Sequence, residues 1–220
     1  MITTLFLALT VQAATAQTPA QAGPAPTEQA GIEQAAFDPD AALAGINAAL
    51  NSVETLRARF IQVSPQGTFA EGLLSMSRPG RLRFEYDDPT PIRVISDGTT
   101  VAVEDTDLET VDRAPLRSTP LWWLLKRDID IANDAEILDI ISEFGFVYLT
   151  VQDPNGEMEG QIQFVFSESD YELREWFVTD AVGQVTRVTL IDAEAGIRLS
   201  PRLFIIPEPE TERDSRRGRR

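Results

Sequence analysis

The chain has 220 residues with 19 basic against 35 acidic side chains, a formal net charge of −16 at neutral pH, and neither cysteine nor histidine. Those two absences exclude disulfides, thiol and imidazole chemistry, Ser-His triads and the usual zinc ligand sets, while the acidity argues against nucleic acid, whose phosphates would be repelled. Hydrophobic residues make up 43% of the chain, enough at this length for one sizeable core.

In chain order, residues 1–16 combine a short apolar run with Ala14-Thr15-Ala16, a small-x-small pattern that predicts a secretory signal peptide cut after Ala16. There is no basic n-region, so a merely apolar end is the alternative. Residues 17–37 are rich in Ala, Gln, Pro and Thr and are expected to be a flexible leader. A domain over 38–207 follows. Asp38 offers an N-cap to a helix in which Leu43, Ile46 and Leu50 recur at helical spacing, ending near Asn51.

From Leu56 the period changes to two. Runs at 69–78, 81–87, 92–96, 99–104, 146–152, 160–167, 171–179 and 185–192, with a last one near 202–206, are separated by the turn signals Asp97-Gly98, Asp153 to Gly156 and Asp180 to Gly183. So many short consecutive strands predict an antiparallel, strongly curved sheet or barrel. Alternation puts Phe60 on one side of the run from Leu56, Leu74 and Met76 on one side of the next strand, and Leu82, Phe84 and Tyr86 on one side of the strand after it.

Two interruptions stand out. Thr119-Pro120 precedes Leu121-Trp122-Trp123-Leu124-Leu125 and Lys126-Arg127, with helix signals at both ends. Trp122 and Trp123 would point about 100° apart on a helix and cannot share a face, so at least one needs a second apolar partner. The segment is either a movable lid over an apolar cavity or an all-round buried core helix. Residues 134–143 fit helix and strand periods equally. Residues 208–220 lack core formers; five of the nineteen basic residues lie in Arg213–Arg220, so residues 1–212 hold the remaining 14 basic and 34 acidic side chains, a net −20 by count. That tail is expected to be disordered.

Among chemistry-bearing groups, Asp87-Asp88, Glu104-Asp105, Asp107 and Glu109 raise the possibility of a carboxylate-based hydrolase, but they abut turns, where Asp is favoured for local hydrogen bonding. Arg78 is more telling. It ends an apolar strand phase (Gly72, Leu74, Met76) and is followed by Pro79. A guanidinium there must find acceptors. The terminal carbonyls of a covering helix would serve, which makes Arg78 a latch; the alternative is an arginine reaching out to solvent.

Gly72 to Tyr86 with Arg78-Pro79 at its centre, Ser96-Asp97-Gly98, Thr119-Pro120 with Leu124-Leu125, the stretch from Trp176 through Asp180, Gly183 and Gln184 to Leu190, and the early Phe60-x-Gln62 together resemble the periplasmic outer-membrane lipoprotein carrier family LolA. The Pro/Ala-rich leader, the arginine-rich tail and Val101-Ala102-Val103, where bulky aromatics are usual, depart from the family pattern. The resemblance implies an α+β fold: an unclosed, strongly curved antiparallel β-barrel of about 10–11 strands covered by helices, with Arg78 latching a lid formed by Trp122, Trp123, Leu124 and Leu125 over an apolar cavity. Phe60, Leu74, Met76, Leu82, Phe84, Tyr86, Phe164, Phe166 and Trp176 are expected to line that cavity and bind lipid. It implies a periplasmic, monomeric, non-enzymatic chaperone without cofactor or metal. Its partners would be the acyl chains of lipoproteins, an inner-membrane ABC transporter that releases them, and an outer-membrane acceptor where one exists. A carrier of another amphiphile, glycolipid or pigment, is the alternative within the same cavity.

Overall fold

The computed structural model describes residues 37–207 except Glu157 and Glu159. The signal peptide, all but the last residue of the leader, and the tail at 208–220 lie outside the described residues. Helix α1 (Pro39–Ser52) starts where Asp38 caps it, its carboxylate accepting from the amides of Asp40 and Ala41 at 3.1 and 3.2 Å, and it buries Ala42, Ile46 and Leu50.

Six strands follow: β1 (Thr55–Val63), β2 (Phe69–Ser77), β3 (Arg81–Tyr86), β4 (Ile92–Asp97), β5 (Thr100–Asp105) and β6 (Thr110–Pro115). A 3₁₀ turn (Leu116–Ser118) leads into α2 (Leu121–Leu125) and α3 (Ile131–Asp134). Five more strands complete the sheet: β7 (Glu136–Glu143), β8 (Phe146–Gln152), β9 (Gln161–Ser167), β10 (Leu173–Thr179) and β11 (Val185–Ala195). The order is β6-β5-β4-β3-β2-β1-β11-β10-β9-β8-β7, with every neighbouring pair antiparallel. Because β6 and β7 do not pair with each other, the barrel stays open.

The two faces follow from period-2 alternation. On the concave face Phe60 packs edge-on to Phe84 and to Tyr86, each at 5.0 Å between centroids, and Phe84 meets Trp176 at 6.4 Å. The convex face carries a row in register across six strands: Arg57, Ser75, Arg83, Ile95, Ala102 and Arg113. After β11 the chain crosses this face as a strap. Thr55 Oγ1 donates to Ile197 O at 2.8 Å, Arg81 lies over the Phe204 ring at 5.7 Å, and Arg113 donates to Pro207 O at 3.0 Å. Phe204, Ser75, Ile95 and Ala102 are buried.

One expectation about elements is corrected, one element was not foreseen and one open segment is settled. The run near 202–206 is no strand: Ser200 caps and Pro201 opens a 3₁₀ turn (Pro201–Phe204) that puts Phe204 into the convex face. Residues 110–115, which lack alternation, form edge strand β6. The ambiguous 134–143 resolves into β7, whose alternation is broken by a register shift between Ile137 and Asp139.

Candidate functional site

The strongest structural feature on the concave side is an apolar cavity of about 240 Å³ beneath α1 and α2. Leu74 and Met76 of β2, Leu82 of β3, Trp176 of β10, and Leu190 and Ala193 of β11 form its floor; Leu50 and Val53 from the end of α1 and Leu121 and Leu124 from α2 close it. Arg78 stands at its edge.

The Arg78 side chain donates from Nε to Leu124 O at 2.7 Å, and from Nη1 to Val53 O at 3.0 Å and to Leu50 O. These are carbonyls at the C-terminal ends of two helices, where intrahelical donors run out and the backbone dipoles leave partial negative charge. One cation thus bridges both helices to the sheet. Burial lowers its pKa to about 10, still far above neutrality, so the guanidinium remains charged.

The neighbouring backbone completes the joint. Gly80 N–H donates to Leu125 O at 2.7 Å, so the Arg78-Pro79-Gly80 turn takes both of the last carbonyls of α2. Gly80 has φ +75°, and a Cβ there would sit 2.6 Å from Gly98 Cα; only glycine fits. Fully buried Ser96 donates to Gly80 O at 2.6 Å. The Asp97 carboxylate accepts from the amides of Thr99 and Thr100, both at 2.9 Å. Burial works against its ionisation, yet these bonds outweigh it and hold the group below the usual carboxylate range. The separated motifs Arg78-Pro79-Gly80 and Ser96-Asp97-Gly98 are therefore two halves of one socket.

Beyond α2, Asn51 of α1 exchanges two bonds with Ile129, Nδ2 to the carbonyl at 2.8 Å and Oδ1 from the amide at 2.9 Å, while Asn47 Oδ1 accepts from Ile131 N–H at 3.2 Å. Lys126 pairs with Asp134. The segment is thus tied at its rim by directional polar bonds, while Leu116, Trp123, Leu124, Leu125, Ile129 and Ile131 are buried in the core.

The predicted site residues divide into two sets. Leu74, Met76, Leu82, Trp176, Arg78 and Leu124 border the cavity. Phe60, Phe84, Tyr86, Phe164 and Phe166 lie in the concave core without lining the cavity. Trp123 is buried, its Nε1 3.4 Å from Asp134 O, whereas Trp122 is half-buried with Arg117 stacked on it at 4.9 Å. The two indoles do face different partners. The helix is shorter than the signals suggest: Thr119 bonds back to Leu116 O at 2.8 Å instead of capping, Pro120 takes the cap position and Lys126 already lies past the end.

Sequence reasoning missed the rim at Asp170, Tyr171, Glu172 and Leu173. Tyr171 has φ +54°, costly for a bulky side chain, and its ring lies where a Cβ on Gly45 of α1 would have to go. Asp-rich turns are common, so nothing in that stretch signals a cavity wall. Asp87, by contrast, is half-exposed and bonded to Arg59 at 2.5 Å on the opposite face, which holds it below the usual carboxylate range.

An open barrel whose concave side keeps an apolar cavity beneath two helices defines the structural class: a helix-covered half-barrel with an apolar internal cavity. Residues 51–207 match the family described as outer membrane lipoprotein carrier protein LolA, and the chain belongs to that family. Outer-membrane lipoprotein carrier proteins of Methylococcus capsulatus, Legionella pneumophila (strain Corby) and Pseudomonas aeruginosa (strain UCBPP-PA14) are 31%, 27% and 29% identical to it. Those alignments cover 73%, 73% and 81% of this chain and 80%, 83% and 89% of the relatives. Among solved structures, a LolA superfamily protein from Nitrosomonas europaea is similar at TM-score 0.46 and 10% identity, covering 78% of this chain and 99% of that one. MucB is similar at TM-score 0.44 and 15% identity, covering 78% and 64%.

Proposed function

We propose that the chain is a periplasmic chaperone that takes up the acyl chains of outer-membrane lipoproteins in the concave cavity and carries them between membranes, without a catalytic step. The inner-membrane partner is an ABC transporter that releases the lipoprotein, and the receiver is an outer-membrane acceptor or the membrane itself. The observation that carries this reading is the Arg78 bridge from the sheet to the C-termini of both covering helices, set at the edge of an apolar cavity.

The cavity size supports a moving lid. Ligand pockets commonly run to about 300–1,000 Å³, so 240 Å³ suits a closed state that must widen to admit a long chain. Each buried methylene contributes about 0.8 kcal/mol, and a rigid apolar pocket would hold several chains almost irreversibly. Closure restores the charged hydrogen bonds of Arg78 and the apolar contacts of Leu121 and Leu124, and this competes with cargo. Release then follows from a shift of population between open and closed states.

Mass spectrometry of amphiphiles co-purified under mild conditions, with lipoprotein transfer in a reconstituted assay, tests the reading. Acylated lipoproteins and their handover are expected. Exclusive recovery of a glycolipid or pigment would replace the cargo, and hydrolysis products would return the carboxylate-based alternative.

A further inference from the structure

The open sheet has two outer edges, and they are finished differently. β6 carries Pro115, which has no amide to donate, and its Arg113 is tied to Pro207 O of the strap at 3.0 Å. β7 ends the other side, and among the described residues no strand pairs with its outer edge. From Asp139 to Glu143 it pairs with β8 without a register shift, so this stretch is regular enough to template a further strand. Ile140 packs against the core, whereas Asp139, Ile141 and Glu143 alternate with it on the convex face and are exposed.

We infer that the outer edge of β7 takes up an extended, basic segment of a partner protein as an added strand, reading the pattern cation-x-apolar-x-cation through Asp139, Ile141 and Glu143. Three observations favour this occupant. Four of the twelve large hydrophobic side chains exposed among the described residues, Leu138, Ile141, Phe144 and Phe146, fall in the single hairpin of β7 and β8, and clustered exposure of that kind marks an interaction surface. The charge is one-sided: no basic residue occurs between Arg127 and Arg174, a stretch that holds twelve acidic ones. Among the described residues neither Asp139 nor Glu143 is paired with a cation. A second copy fits badly, because antiparallel pairing of two β7 edges centred on Ile141 sets Asp139 against Glu143 twice, and like charges directly opposite destabilise a pair. A basic strand reverses the sign: main-chain bonds supply affinity, two cations stand opposite the two carboxylates, and the aliphatic side chain between them packs on Ile141. Cavity contents play no part in this recognition.

Nuclear magnetic resonance of the isotope-labelled full chain, titrated with capped heptapeptides, tests it. The probes are Thr-Lys-Thr-Val-Thr-Lys-Thr, the same peptide with glutamate for both lysines, and the same with serine for valine. With the first, amide shifts and slowed hydrogen exchange are expected to concentrate in residues 139–143. The glutamate peptide should bind about tenfold more weakly and the serine peptide several-fold more weakly, and added salt should weaken the first. Asp139→Lys combined with Glu143→Lys should turn the preference towards the glutamate peptide, with the far-ultraviolet circular dichroism unchanged. Ile141→Ser, which leaves both carboxylates in place, should weaken the lysine-valine peptide several-fold. No shift with any peptide at millimolar concentration, shifts centred away from β7, equal binding of the lysine and glutamate peptides, an unreversed preference in the double variant, or protection of residues 139–143 through self-association alone would each overturn it.

Discussion

The two faces of one sheet are covered in opposite ways. On the convex side the row of Ser75, Ile95 and Ala102 has small or compact side chains, so the strap settles onto the strands and Phe204 is buried there. On the concave side the residues are large, and two helices rest across them with a cavity left between. The convex cover adheres by close packing, which is lost steeply when parted. The concave cover buries more apolar surface, with Ala42, Ile46, Leu50, Trp123, Leu124 and Leu125 in the core, and adds at its rim a set of bonds to backbone carbonyls, which water can replace when they part. In the proposed carrier, opening breaks that polar rim together with the apolar contacts of Leu121 and Leu124 beside the cavity.

Substitutions can break this contrast from either side. Phe204→Ala should destabilise the fold by about 3–5 kcal/mol, as for a buried aromatic, measured by urea unfolding, while leaving acyl-chain uptake by the folded protein unchanged; lost uptake would join the two faces. Arg78→Leu should do the reverse. Removing a charged donor from three carbonyls weakens closure by about 2–4 kcal/mol, so cargo should bind more tightly and be handed on poorly in a transfer assay. Gly80→Ala combines a positive φ with a clash against Gly98 and should cost about 1–3 kcal/mol, read as a lower Tm. Gly45→Ala displaces the Tyr171 ring from α1 and should speed cargo entry several-fold with little change in Tm.

Proton linkage is the smallest effect. Burial holds the pKa of Arg78 at about 10, below that of a solvated arginine. A lid whose opening rehydrates it therefore takes up protons only above about pH 10. Lid protection should be independent of pH between 6 and 9, apart from intrinsic amide chemistry.

Much of the concave side was legible because its chemistry is local. Alternation marked ten of the strands or left them open between two periods, and the Asp97-Gly98, Asp153 to Gly156 and Asp180 to Gly183 turns do join consecutive strands. Edge strand β6 was not legible: its residues are nearly all exposed, so no face is selected and no alternation arises. The strap was misread because Leu203, Phe204 and Ile205 are apolar enough for a strand; Ser200-Pro201, a cap followed by proline, was the better signal. The cavity is harder still. Inward-facing residues belong equally to a packed core and to a cavity wall, and only the placement of α1 and α2 decides that Leu74 and Trp176 border space while Phe60 and Phe164 do not.

The Gly80 amide reports lid closure directly, since its acceptor is the last residue of α2. Hydrogen exchange at Gly80 should be slow in the empty protein and about a hundredfold faster when the cavity is loaded with a palmitoylated peptide or when Arg78 is replaced by leucine. Protection at Gly80 unchanged by both would contradict an arginine-latched lid over the cavity.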